Sequence, residues 1–268
     1  MNHLQVSIAA NEEQQEILIS QLSDLGAEGF EQTESHLLAY FNELNFDSYA
    51  VNELLKGHSF LLNTIEEKNW NEVWESNFEP VTVEDFCAVR AEFHSPIPQV
   101  KHEIIITPKM SFGTGHHATT YMMMSDMRDL SFQGKKVFDF GTGTGILAIL
   151  AEKLGASHIE AIDVEEWSIK NSIENAQRNN CHRINFHQTS QLPEDKFDLI
   201  LANINRNVIL EYLPVLKEKL NQEGQILFSG LLTTDEKVID EACKREGLHF
   251  IRKKERNNWI ALLYLKGL

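Results

Sequence analysis

The most explicit chemical signal in the chain is the run Asp139-Phe140-Gly141-Thr142-Gly143-Thr144-Gly145. A short apolar stretch, Val137-Phe138-Asp139-Phe140, enters it, and residues 146–154 leave it with helical character. Glycines at a strand-to-helix turn let the backbone approach a ligand closely, and the helix N-terminus aims its free N–H groups at it. Spacing selects the ligand. A dinucleotide fingerprint needs Gly-x-Gly-x-x-Gly, but here the third glycine comes one residue early, at Gly145, and Ile146 stands where that fingerprint has glycine. No Lys-Ser/Thr pair follows, which excludes a P-loop. Asp163 closes the next strand-like run, 22 residues after Gly141, where a carboxylate can accept both hydroxyls of a ribose.

Two further segments carry groups suited to a pocket. Ser111-Phe112-Gly113-Thr114-Gly115-His116-His117-Ala118-Thr119-Thr120 places glycines and hydroxyls before a helix. Asp198-Leu199-Ile200-Leu201-Ala202-Asn203-Ile204 ends a buried strand, and sites in such sheets lie at the carboxyl ends of strands. Asn203 therefore faces the site, with an amide that donates and accepts at once.

The Gly-x-Gly-x-Gly loop with its acidic partner resembles the seven-stranded S-adenosylmethionine methyltransferases. In those enzymes the acidic residue matched by Asp139 lies near the loop and the methionine moiety. The segments around Phe112–Thr120 and Asn203 resemble the PrmA family, the methyltransferases of large-ribosomal-subunit protein eleven. That family's hallmark reads Phe-Gly-Thr-Gly-Thr-His-x-Thr-Thr, with Ala-Asn-Ile at the end of the fourth strand. The resemblance runs the length of the chain. It implies S-adenosylmethionine as cofactor and methylation of lysine side chains and the N-terminal amine, with the front domain binding the ribosomal protein. Position by position, it makes Thr120, Gly141, Asp163 and Asn203 cofactor contacts, with Asp139, Thr142, Gly143 and Gly145 completing the loop. Asn203, Phe112 and His116 are the candidate catalytic residues. Phe112 either walls a lysine channel or belongs to the core. His116 and His117 offer a proton acceptor or simple loop structure. His116 departs from the family's Thr, and Ala118 from its Pro, whose fixed φ would stiffen the loop. Two adjacent histidines without a nearby third ligand do not make a metal site, and none is expected.

The elements that must position these residues fall into two patterns. Residues 3–9 alternate at period two, 11–25 repeat at helical spacing after the N-cap candidate Asn11, and 27–33 with 36–42 read as a strand pair. A short helix from Asp47 and a strand at 59–65 complete a βαββαβ order, a small ferredoxin-like α+β domain over 1–65. Residues 66–80 read as a linker helix with Trp70 and Trp74 on one face. From 81 to 268, short strands at 81–83, 86–93 and 103–107 precede strands alternating with helices: 158–163, 165–179, 183–187, 197–202, 206–220, 225–229 and 234–246. Strands at 248–254 and 258–265 close the chain. This order predicts an α/β fold, a Rossmann-like parallel sheet of seven strands with an antiparallel edge.

Bulk properties narrow the partners. The net charge is −16, and residues 1–68 carry twelve acidic side chains against Lys56 and Lys68 alone, leaving −6 for the remaining residues. An acidic front domain repels phosphate backbones and attracts a basic protein, although a merely solubilising face has the same composition. Direct nucleic-acid binding is therefore not expected. Amino-directed nucleic-acid methyltransferases carry Asn-Pro-Pro-aromatic where this chain has Asn203-Ile204-Asn205-Arg206. A glutamine or small-molecule substrate, or a non-catalytic binding module, stays open. The three cysteines, Cys87, Cys181 and Cys243, are far apart and form no Cys-x-x-Cys, which argues against a disulfide framework. With no signal-like start and no apolar run near the roughly 20 residues a span requires, a cytoplasmic protein is expected.

Overall fold

A computed structural model of the chain describes residues 3–33, 35–65, 78–107 and 115–267. The expectations for Trp70, Trp74 and Phe112 lie outside the described residues. The chain divides into two compact units, Met1–Val73 and Trp74–Leu268.

The first unit runs β1 (His3–Ala9), α1 (Glu12–Asp24), β2 (Gly29–Gln32), β3 (His36–Asn42), α2 (Ser48–Leu54) and β4 (Phe60–Ile65), with a one-turn helix at Glu43–Asn45. Its sheet has the order β2-β3-β1-β4, and every pairing is antiparallel. Asn11 caps α1 with a reciprocal box: its Oδ1 accepts the Gln14 N–H, and the Gln14 side chain accepts the Asn11 N–H. Asp47 caps α2 by accepting from Tyr49 and Ala50 N–H. The alternate residues Leu4, Val6 and Ile8 of β1 and Leu37, Ala39 and Phe41 of β3 meet Leu18, Leu22, Val51 and Leu55 of the helices in one core.

The second unit begins with a three-stranded sheet, β5 (Val81–Val83), β6 (Cys87–Ala91) and β7 (His102–Ile106). The main sheet follows, with α3 (Ala118–Met127), β8 (Lys136–Phe140), α4 (Ile146–Lys153), β9 (His158–Asp163), α5 (Glu166–Arg178), β10 (Ile184–Gln188), β11 (Phe197–Asn203), α6 (Arg206–Lys219), β12 (Leu220–Leu232), α7 (Glu236–Arg245), β13 (Leu248–Arg256) and β14 (Trp259–Lys266). Its seven strands have the order β10-β9-β8-β11-β12-β14-β13. The first five are parallel, and β14 and β13 are antiparallel, giving a mixed sheet.

Period-two alternation divides the apolar side chains between the two faces. Val137, Leu199, Leu201, Leu227, Ala261 and Leu263 join the core under α3 and α4. Phe138, Phe140, Ile200, Ala202, Ile226, Phe228, Ile260 and Leu262 join the core under α6 and α7. A sheet covered on both faces leaves its strand ends as the accessible rim. β12 departs furthest from its sequence reading, running Leu220–Leu232 against 225–229, while β6 is shorter than 86–93 and β2 shorter than 27–33. The start of β12, Leu220-Asn221-Gln222-Glu223-Gly224, is polar and carries Glu223 at φ 58°, the signature of a turn, yet Leu220 pairs with Phe197 across a register shift. Among the described residues no helix is long and apolar enough to cross a membrane.

Candidate active site

Strands β9, β8 and β11 lie side by side, so Asp163, the glycine run and Asn203 reach the same rim. After Phe140 the chain turns onto the end of β9: Gly141 and Thr142 N–H donate to the Ile162 carbonyl at 3.0 and 2.9 Å. Two glycines here are dictated by geometry. Gly141 has φ +77°, and a Cβ on it would run into Ile204 Cγ2. Gly145 has φ +78° at the N-cap of α4, and a Cβ there would lie 2.9 Å from Ser172 Cβ of α5. Gly145 offers no side chain to cap α4, and of its first-turn amides Ala148 N–H points to the Asp139 carboxyl.

The two carboxylates sit in different surroundings. Asp163 accepts Gly143 N–H on Oδ2 at 2.9 Å and Glu165 N–H on Oδ1 at 3.0 Å. These bonds fix the group at the cavity wall, and an ionised carboxylate with about four acceptor sites keeps two for a ligand. Asp139 is 1% exposed and takes the Thr142 hydroxyl on Oδ2 at 2.6 Å. Burial pushes its carboxyl up to about 7, against the Thr142 hydroxyl and Ala148 N–H, which draw it down, and with a small upward push from Asp163. Its Oδ1 is buried with no hydrogen-bond partner.

Asn203 Nδ2 donates to Thr120 Oγ1 at 3.2 Å, while Asn203 Oδ1 is buried and unpartnered. Thr120 is fully buried in the first turn of α3. In register, Asp139 lies opposite Leu201 and Phe140 opposite Ala202, so the two orphaned acceptors belong to neighbouring strands at one end of the sheet. Buried acceptors without partners are costly, and their pairing here marks a place built for a donor.

A cavity of about 460 Å³ opens beside them. Of the residues expected from sequence, Gly141, Gly143, Asp163 and Asn203 line it. Thr120, Asp139, Thr142 and Gly145 are buried and are not among the lining residues. His116 is not among the lining residues and meets Phe78 edge-on, with ring centroids 4.8 Å apart. His117 instead caps α3, receiving Thr119 N–H at Nδ1, and faces Trp259 at 4.7 Å, where burial lowers its pKa below the usual imidazole value. Among the described residues no group of His, Cys, Asp or Glu could hold a metal ion.

Sequence reasoning missed Trp167, Thr189, Ser190, Val208 and Tyr212, which also line the cavity. Thr189 and Ser190 directly follow β10, so the rule that sites lie just past parallel strands could have found them. Tyr212 and Trp167 carry no such signal: topology alone brings these helical aromatics over the rim.

The comparisons agree with this architecture. The family model described as ribosomal protein L11 methyltransferase (PrmA) matches residues 31–266. A ribosomal protein L11 methyltransferase of Porphyromonas gingivalis is 42% identical over 260 residues, 93% of this chain and 90% of the relative. One of Phocaeicola vulgatus is 35% identical over 279 residues, covering 99% of both chains. The solved ribosomal protein L11 methylase of Lactobacillus delbrueckii subsp. bulgaricus superimposes with a TM-score of 0.67 at 31% identity, covering 71% of this chain and all of that one. The second unit is thus an α/β methyltransferase fold with a mixed sheet, and the chain belongs to the ribosomal protein L11 methyltransferase (PrmA) family.

Proposed function

We propose that this enzyme transfers methyl groups from S-adenosylmethionine to the lysine side chains and N-terminal amine of ribosomal protein L11. S-adenosylmethionine is the cosubstrate of the family. The residues fit it. The cavity volume lies within the roughly 300–1,000 Å³ usual for small-molecule sites, and its walls mix aromatic faces with the Asp163 carboxylate. When bound, the cosubstrate supplies an electrophilic methyl group on a sulfonium centre.

The observation that carries the reading is the pair of orphaned buried acceptors, Asp139 Oδ1 and Asn203 Oδ1. In our reading Asp163 accepts the ribose hydroxyls, Gly141, Gly143 and Gly145 let the backbone close on the ligand, and Thr142 holds Asp139 toward the cationic end. Thr120 anchors the Asn203 amide through Nδ2. That leaves Asn203 Oδ1 to accept an N–H of the incoming amine and turn its lone pair toward the methyl group. The amine must be neutral to attack, and lysine's free pKa is about 10.4. The apolar rings around the cavity disfavour the ammonium form, so the proton leaves to water before transfer. His116 and Phe112 stay, on sequence grounds, as residues bordering the amine's approach.

We read the first unit as a ferredoxin-like domain, because its order β2-β3-β1-β4 is that of a split βαββαβ sheet. Its acidic surface suits a basic ribosomal protein rather than RNA. The domains are then 1–65 for recognition, 66–80 as linker and 81–268 for methyl transfer. Three buried free thiols suit the reducing cytoplasm.

Calorimetry tests the site. S-adenosylmethionine binds and NAD does not, and Asp163→Ala weakens binding by about 1–3 kcal/mol through unpaired ribose hydroxyls. Binding of NAD alone would overturn the reading, and unchanged affinity in Asp163→Ala would place the ribose elsewhere.

A further inference from the structure

Helix α5 joins the glycine loop to β7 through two asparagines one turn apart. Asn175 and Asn179 are both buried. The Asn179 amide brackets Ile105: its Oδ1 accepts the Ile105 N–H at 3.0 Å, and its Nδ2 donates to the Ile105 carbonyl at 2.6 Å. Asn175 Oδ1 accepts the Thr107 N–H at 2.8 Å. Four helical residues rise about 6 Å and two strand residues about 6.6 Å, so an i, i+4 pair keeps step with the alternate residues of a strand edge. Two side-chain amides thereby complete the edge of β7 as a neighbouring strand would.

The second bonds of the two amides differ. Asn179 Nδ2 turns back to the Asn175 carbonyl at 2.8 Å. Asn175 Nδ2 reaches the Thr144 carbonyl at 2.9 Å, inside the glycine loop and one residue before the N-cap of α4. Thr144 is fully buried, and Ser172, one turn earlier on α5, already presses on Gly145. One rigid planar amide therefore spans from the glycine loop to Thr107. The Thr107 hydroxyl adds a 2.8 Å bond to Glu174 on the same helix.

We propose that Asn175 is a positioning residue for methyl transfer. By bonding Thr144 and Thr107 together it fixes the loop that holds the methyl donor against the end of β7. This rests on the reading of the loop as the S-adenosylmethionine site. Both ends of the amide are satisfied in a buried setting, so displacing the loop would strand a donor or an acceptor without water to replace the lost partner.

Asn179 provides the control, because it makes similar bonds to β7 and, among the described residues, its side chain makes no hydrogen bond to the loop. Asn175→Asp keeps the acceptor for Thr107 and turns an oxygen toward the Thr144 carbonyl; Asn175→Ala removes both bonds without that repulsion. The experiment measures S-adenosylhomocysteine Kd, thermal midpoint, and kcat at saturating cosubstrate for the wild type, N175D, N175A and N179A. N175D and N175A raise Kd by about tenfold or more and lower kcat, whereas N179A loses a comparable amount of thermal stability and stays within about twofold in Kd. Wild-type Kd in the Asn175 variants, or a Kd loss in N179A as large as theirs, would reduce Asn175 to a strand-edge residue and overturn the proposal. If N175D does not fold, N175A carries the same comparison. A wild type that fails to bind S-adenosylhomocysteine would overturn the reading of the site itself, a separate result from wild-type binding in N175A.

Discussion

Asp139 and Asp163 are the same residue type at the ends of adjacent strands, and their surroundings give them different work. Asp163 is partly open and tied to two backbone N–H groups, which suits a fixed, charged acceptor. Asp139 is sealed beneath the loop, and burial raises its carboxyl to about 7. The native state therefore binds a proton between about pH 4 and 7 that the unfolded chain has released, and this contribution to stability fades as pH climbs through that window. Relative to Asp139→Asn, which does not titrate, the wild type loses on the order of a few kcal/mol from pH 4 to 7. Urea unfolding of both proteins at each pH checks this; a constant difference would show that Asp139 titrates normally. Asp163 and the glycines were legible in the sequence because their spacing follows the local chain. The orphaned oxygens of Asp139 and Asn203 were not legible, since satisfaction of a buried atom depends on neighbours from distant segments.

At the scale of elements, the site is a strand, a tight turn and a helix held from the side by α5. The turn tolerates no side chain at residue 145, where a positive φ coincides with Ser172 Cβ 2.9 Å from the added atom. Gly145→Ala should cost about 1–3 kcal/mol in denaturant unfolding and weaken cosubstrate binding with it. Wild-type stability would mean that α5 yields easily and does not define the loop. Most elements were legible to within two residues because their apolar periods are clean, as in β9, whose sequence span of 158–163 matches its observed bounds. β12 was not. Its polar, glycine-bearing start suppresses the period-two signal, and only pairing with β11 draws it into the sheet. The bonds between α5 and β7 were equally hidden, because asparagines near a helix end read as ordinary C-terminal residues.

At the scale of the whole molecule, acidic charge is concentrated toward the front of the chain. Residues 1–68 contribute −10 of the −16 total. If that surface recruits a basic protein, reversing exposed charges there raises KM for the protein substrate and leaves cosubstrate affinity alone. Asp24→Lys with Glu43→Lys, both exposed, should raise that KM several-fold at about 0.05 M salt and much less at about 0.5 M, where screening shortens the reach of charge. No change at low salt would assign recognition to other features of the chain.

The central claim is the identity of the methyl acceptor. The direct measurement is incubation of the full chain with labelled S-adenosylmethionine and purified ribosomal components, followed by mass spectrometry. The account predicts label on ribosomal protein L11, at lysine side chains and the N-terminal amine. Label on RNA alone, or on no amine of that protein, would contradict it.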